Sequence, residues 1–223
     1  MDIPDRTRGA MIQAVYRSNF ILMGLPVAEN IYGKGCVSVT AALIMFVVPL
    51  YNFLAVIVLE YFRGGRANLK SVLKKILTNP IILGAVAAIL ALALNISVPS
   101  AVNKTISGMC DATTPIAMIL LGASFNKSSV HAGKKNLTIC VLSRLVIVPA
   151  IGLGLAAMLG VRDVALVSLI AMMAAPPAVS SYTMAEAMDS DGELAGNAVI
   201  FATPLSCVTI FLWLFLFKSL GMF

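Results

Sequence analysis

The chain has 223 residues, of which 60% are hydrophobic and only 12% are charged, and its mean hydropathy is +0.96. A soluble domain carries far more charge on its surface, so this composition excludes one and indicates an integral membrane protein. The net charge of +6 does not indicate nucleic-acid binding, because the basic residues form short clusters between apolar segments instead of one continuous basic face.

Apolar segments of about 20 residues can cross a hydrocarbon core of about 30 Å as helices, which satisfy their own backbone hydrogen bonds. The sequence contains seven such segments, at 10–31, 37–62, 80–96, 101–123, 137–159, 163–187 and 195–217. We therefore predict an all-α, polytopic membrane protein with about seven transmembrane helices.

Basic residues between these spans predict the orientation, because cytoplasmic loops carry an excess of Lys and Arg. The segment 63–79 is basic and contains no acid, and the loop "NKSSVHAGKKN" adds Lys127, Lys134 and Lys135. Both loops should be cytoplasmic, which also places the N-terminus and the acidic loop "MDSDGE" inside and Phe223 outside. We expect the protein to lie in the cell (inner) membrane.

An internal repeat relates the two halves of the chain. Residues 46–62, "FVVPLYNFLAVIVLEYF", resemble residues 201–217, "FATPLSCVTIFLWLFLF", and each copy follows a span that contains proline, around Pro26 and Pro177. These two proline-containing spans are the first and the sixth of the seven, five positions apart, so they enter the membrane from opposite sides. This pattern predicts an inverted-topology repeat of five helices, an architecture of many secondary transporters.

The repeat also predicts the division of the chain. Residues 1–62 correspond to the last two helices of a first repeat, 63–79 to a basic cytoplasmic linker, and 80–223 to a complete second repeat. Because a full first repeat would contain three further helices, we expect the chain to be a truncated form.

Two adjacent prolines, Pro176 and Pro177, interrupt the apolar segment "LIAMMAAPPAVSSYTMAEAM". Proline removes a backbone donor and clashes with the preceding turn, so the pair should break this helix. Irregular backbone inside a membrane is tolerated where it is buried in protein or lines a polar cavity, so two broken helices are expected to meet near the midplane. The helix that restarts after Pro177 directs its N-terminal amides toward the break, which favours an anion there.

Polar side chains flank both breaks. Glu29 would suit a cation or a proton, whereas the others can bind a carboxylate. The alternative is a pair of structural kinks whose freed carbonyls bond to neighbouring Ser and Thr, without a ligand. The predicted substrate-binding residues are Asn19, Pro26, Asn30, Pro176, Pro177, Ser180, Ser181, Tyr182 and Thr183.

Two ionisable residues inside predicted spans are further candidates, because charge is costly in a membrane. Asp111 and Arg144 lie at similar depths when the helix rise is counted from their shared loop, which allows them to pair. A coupling role and a purely structural ion pair are both open. The cysteines and the single histidine show no metal-binding spacing, so no metal or cofactor is expected.

Several stretches resemble one known family. "RSNFILMGLPVAENIYG", "DATTPIAMILLGAS" and "AAPPAVSSYTMAEAMDSDGELAG" are similar to the auxin efflux carrier family of permeases, which includes plant auxin exporters and bacterial malate or malonate permeases. The resemblance implies ten helices in two inverted repeats, with broken helices four and nine crossing at a site for organic anions. It places Asn19, Pro26, Pro176 and Pro177 on the crossover and indicates that helices one to three are lacking.

These observations favour a permease, and not an enzyme, that moves small organic anions such as malate or auxin-like acids. Its expected partners are the anion and the lipid bilayer, with nucleic acid excluded and a homodimer left open. Two alternatives are a sodium-coupled organic-anion symporter of the bile-acid transporter type and a membrane sensor module that does not transport.

Overall fold

The computed structural model is helical over nearly all of the residues that it describes. The predicted basic linker falls mainly outside them, including Arg66, Lys70, Lys74 and Lys75. The described residues are 3–33, 37–63, 77–78, 80–94, 96, 98–123, 125 and 127–223.

The first predicted span consists of two short helices. Helix α1 (Asp5–Tyr16) ends before an extended segment at residues 17–19, after which a π-helical turn (Phe20–Gly24) leads directly into α2 (Leu25–Tyr32). Helix α3 (Val37–Phe62) is then continuous, although it contains a proline. The first half of the chain therefore has one broken and one unbroken helix.

The second half begins with α4 (Pro80–Ala93) and α5 (Ser100–Ala123). Among the remaining helices, the last three again form a broken helix followed by a long one that contains proline. The remaining elements are α6 (Lys127–Leu142), a π-helical turn (Ser143–Ile147), α7 (Val148–Met158), α8 (Asp163–Ala174), α9 (Ser180–Ala187) and α10 (Gly192–Ser219).

Within the described parts of the chain, four helices are long and apolar enough to cross a membrane: Val39–Phe62, Ser100–Ala123, Gly133–Met158 and Gly192–Ser219. Phe20–Tyr32 and Asp163–Ala174 are shorter apolar helices. The predicted multi-pass, all-α class is confirmed for the described residues, whereas the count of seven and the inverted repeat stay predictions. The broken spans cannot supply a continuous helix of transmembrane length, because their backbone leaves the helix partway.

The core lies where α1, α6 and α10 meet. Small side chains dominate this contact, and Ala10, Ala14, Ala198 and Ala202 are fully buried there around Cys140. Small residues allow membrane helices to approach closely, which strengthens their van der Waals packing. By contrast, α4 and α5 expose most of their described side chains.

Hydrogen bonds place the predicted cytoplasmic segments at one end of the bundle. The hydroxyl of Thr7 donates to the Asp191 carboxylate at 2.8 Å, and Arg63 pairs with Asp189. At the opposite end, the rings of Tyr32 and Phe223 are 6.5 Å apart. This separation of the termini agrees with the predicted topology, and the side of the membrane on which each end lies stays a prediction.

Candidate functional site at the helix crossover

The two chain interruptions meet and bond to each other. The backbone amide of Asn19 donates to the carbonyl of Pro176 at 2.8 Å, and the amide of Ala178 donates to the carbonyl of Arg17 at 3.3 Å. Buried backbone groups need partners, and each broken segment supplies them to the other. The two broken helices therefore cross at a defined point, which we call the crossover.

Ser18 and Pro177 face each other at the centre of this antiparallel bridge. Proline is suited to this position, because both bridge bonds use amides of other residues and none is lost. The Ser18 hydroxyl also donates to the carbonyl of Met172 at 2.6 Å, in the last turn of α8. These contacts offset the helical bonds that the break removes.

The first break lies at residues 17–19 and not around Pro26, so that prediction is wrong. Pro26 lies at the start of α2, directly after the π-helical turn, and the helix continues through it as far as Tyr32. Asn30 donates to the Pro26 carbonyl at 2.8 Å, and Pro26, Glu29 and Asn30 are all exposed. The structure therefore does not bring these three residues to the crossover.

The second break lies where the two prolines predict it, with Pro176 and Pro177 both buried. The hydroxyl oxygen of Ser181 is buried without a hydrogen-bond partner in the described part of the chain. Thr183 donates to the Ser180 carbonyl at 3.3 Å, and the Tyr182 ring packs over Gly196, on α10. Of these residues, only Ser180 lines the cavity described next.

A cavity of about 200 Å³ opens beside the crossover. Its walls include the first residues of both helices that restart after the breaks, so the partial positive charge of two helix N-termini is directed at it. Asn19 and Ser180 are the predicted site residues that line it. The described residues that line it are Arg17, Ser18, Asn19, Phe20, Ile21, Leu22, Val48, Tyr51, Asn52, Ala178, Val179 and Ser180.

Arg17 brings a buried charge to this cavity. The residue is only 5% exposed, and its guanidinium donates to the side-chain oxygen of Asn52 and to the sulfur of Met184. Among the described residues no carboxylate lies within ion-pair distance of Arg17. Because an amide oxygen is neutral and a thioether is a weak acceptor, the positive charge has no counter-ion among the residues that the structure describes.

Arg144 occupies the other side of the crossover and is 1% exposed. Its Nε donates to the carbonyl of Ala175 at 2.8 Å, and one terminal nitrogen donates to the carbonyl of Met172 at 3.0 Å. The other terminal nitrogen reaches the carbonyls of Val15 and Tyr16 at 3.2 and 3.3 Å. One guanidinium thus bonds to carbonyls at the C-terminal ends of both α1 and α8, where helical partners are missing.

Arg144 does not pair with Asp111, so the pairing that their depths allowed is not formed. Asp111 is exposed on α5, whereas the guanidinium is fully engaged in the crossover. Two helix C-termini supply partial negative charge there, and this replaces a carboxylate partner. A coupling role for Asp111 stays a prediction.

A π-helical turn carries Arg144 into this position. Such turns depart from the normal helical bonding pattern and recur at functional sites. The carbonyl of Leu145, the next residue, accepts a hydrogen bond from the indole of Trp213 on α10 at 3.1 Å. The turn is therefore anchored to a second helix.

The sequence interpretation did not select Arg17, Tyr51 or Asn52 as site residues. Arg17 is an ionisable residue within the predicted span 10–31, so the criterion that selected Asp111 also applies to it. Asn52 is a polar residue inside a repeat copy of high apolar content. Both signals were present in the sequence.

Apolar helices of transmembrane length, two broken helices that cross, and a cavity beside their crossing together define a membrane transporter built on discontinuous helices. Residues 63–214 match the family model described as membrane transport protein. These residues are more than half of the chain, which therefore belongs to this family, the auxin efflux carrier family that its motifs predicted. An uncharacterized transporter of Methanocaldococcus jannaschii is 21% identical over 214 residues, which cover 95% of this chain and 69% of that protein.

Proposed function

We propose that the protein transports small organic anions, mono- or dicarboxylates such as malate or an auxin-like acid, across the cell (inner) membrane. The cavity beside the crossover would be the substrate site, and the broken helices would move between inward-open and outward-open states. The observation that carries this proposal is Arg17, a buried cation on the cavity wall without a carboxylate partner among the described residues.

The charge of Arg17 favours an anion over other ligands. A buried charge is stable only when it is paired and hydrogen-bonded, and a substrate carboxylate would supply the missing partner. The planar guanidinium also matches a carboxylate with two parallel hydrogen bonds. Asn19 and Ser180 can then donate to the remaining oxygens, next to the N-termini of the restarting helices.

The size of the cavity favours a small ligand. Its volume of about 200 Å³ lies below the range of about 300–1,000 Å³ that is typical of pockets for drug-sized molecules. A short-chain dicarboxylate or a compact aromatic acid is therefore a better candidate than a bulky amphipathic anion.

Equilibrium binding and uptake test this proposal. The protein in lipid nanodiscs would be titrated with malate, malonate and phenylacetate, and proteoliposomes would be used to measure uptake of whichever acid binds. Arg17→Gln should weaken binding roughly 10- to 100-fold, because a hydrogen bond to a charged group contributes about 1.5–3 kcal/mol. Arg17→Lys, which keeps the charge, should lose less affinity.

Arg8→Gln is the matched control, because Arg8 lies on α1, which leads into Arg17, but is exposed and pairs with Asp5. It should bind and transport as the unmodified chain does. Asn19→Ala should weaken binding less than Arg17→Gln, since it removes a neutral donor. A folded Arg17→Gln protein with unchanged affinity for the acid that the parent chain binds would overturn the proposal.

A further inference from the structure

The carbonyls that bond to Arg144 come from the C-terminal ends of two broken helices. Val15 and Tyr16 contribute from the end of α1, and Met172 and Ala175 contribute from the end of α8. We call these four oxygens the carbonyl cage. Unwound backbone carbonyls and half-helix C-terminal ends are the groups that coordinate sodium ions in transporters with discontinuous helices.

We propose that the carbonyl cage is a binding site for monovalent cations that the side chain of Arg144 fills permanently, as a tethered substitute for a dissociable coupling ion. That Arg144 substitutes for a coupling ion rests on the proposed anion transport, whereas the binding of a cation by the cage does not. Emptying the cage by substitution should allow a free cation to take the place of the guanidinium.

The charges in the cage balance with Arg144 present. Each helix C-terminus carries the equivalent of about −0.5 elementary charge, so the ends of α1 and α8 together approach −1. One guanidinium neutralises this charge, and no carboxylate of the described residues joins the cage. A second monovalent cation would therefore meet a site that is already occupied and neutral.

The guanidinium cannot leave with each transport cycle, because its residue belongs to a helix. Arg144 is 1% exposed, its four hydrogen bonds reach both broken helices, and the following carbonyl is held by Trp213. A dissociable ion would bind and leave as the site opens. The tethered charge holds the crossover together without an ion gradient, so anion binding should not require sodium.

The N-terminal helix ends, which are positive, and the C-terminal helix ends, which are negative, therefore face different groups at the crossover. Arg144 holds the two C-terminal ends, and the two N-terminal ends face the cavity with Arg17. The anion site keeps its positive potential because the nearby negative ends are neutralised by a residue of the chain.

Thermal unfolding of Arg144→Ala tests the cage without any organic anion. The purified protein would be heated in choline buffer and then with added sodium, potassium, guanidinium or methylguanidinium at millimolar concentrations. Arg144→Ala should unfold at a lower temperature than the unmodified chain. Guanidinium or sodium should raise that temperature by roughly 5–10 °C at a hundred-fold excess over Kd, with saturation.

Two controls separate a cation site from general salt effects. Arg162→Ala removes an exposed arginine and should neither lower the unfolding temperature nor create a response to guanidinium. Arg144→Lys keeps the charge inside the cage, so it should be closer to the unmodified chain in stability and respond less to added cations. The unmodified chain itself should not respond.

If Arg144→Ala is not recovered as a folded protein, Arg144→Gln is tested instead. Glutamine keeps two hydrogen-bond donors for the cage but removes the charge. A folded alanine or glutamine variant that no tested cation stabilises would overturn the proposal. So would anion binding by the unmodified chain that weakens at least tenfold when choline replaces sodium. If cations stabilise the variant but the unmodified chain binds none of the acids, the cage stands and the proposed function fails.

Discussion

Arg17 donates a hydrogen bond to the side-chain oxygen of Asn52. This contact joins the buried cation of a broken helix to α3, which is unbroken through the crossover region. The Asn52 oxygen orients the guanidinium without cancelling its charge, and the cavity wall therefore remains positive. The identity of residue 52 should accordingly control anion binding.

Asn52→Asp should give Arg17 an internal counter-ion. The new carboxylate would compete with the substrate and repel it, so anion affinity should fall at least about tenfold. The unfolding temperature should not fall, because the buried cation gains a partner. Asn103→Asp, at an exposed position on α5, is the control and should leave affinity unchanged in the same binding titration.

Gly24→Ala should weaken the packing of the π-helical turn against α8. A Cβ at this position would lie 2.9 Å from the carbonyl oxygen of Ala171 and would clash with the Phe20 ring, and the backbone oxygen cannot move aside. The expected cost is about 1–3 kcal/mol, measured as a lower unfolding temperature. Gly108→Ala, where a Cβ has no neighbour within 4 Å, should show no such loss.

Asp191→Ala should remove two contacts at one end of the bundle. One carboxylate oxygen accepts from the backbone amide of Leu194 at 2.9 Å and caps α10, and the other accepts from Thr7 at 2.8 Å. The loss of the cap and of the contact should cost about 1–2 kcal/mol in denaturant unfolding. Thr7→Val removes only the second contact and should cost less; equal losses would show that the cap contributes nothing.

Asp111→Asn should leave the stability of the chain unchanged. If this carboxylate were the partner of Arg144, its removal would leave a buried charge unpaired and cost about 3–5 kcal/mol. Asp111 is exposed, and Arg144 bonds instead to backbone carbonyls. Unfolding curves of Asp111→Asn and the unmodified chain should therefore coincide, and a large destabilisation would contradict the observed geometry.

The membrane class and the second break could be predicted from the sequence, because each follows from the types of residue in a short segment alone. Apolar content decides the solvent in which a helix is stable, and two adjacent prolines break a helix almost wherever they occur. The break at Pro176 and Pro177 needed no knowledge of distant contacts.

The first break could not be placed in the same way. No proline lies at residues 17–19, and the segment is extended because its backbone bonds to residues 176 and 178 across the crossover. Pro26 suggested the wrong position, since the helix continues there from the π-helical turn into α2. The partners of Arg144 were hidden for a related reason: they are backbone carbonyls, which every residue carries and no sequence pattern reveals.

The hydrogen bond from Trp213 to the carbonyl of Leu145 has an experimental consequence. The chain contains a single tryptophan, and that indole contacts the turn that carries Arg144. All tryptophan fluorescence of the protein therefore originates next to the crossover. A change in its emission on adding an acid or a cation would report on this region directly, with no label attached and no second fluorophore of the same kind to subtract.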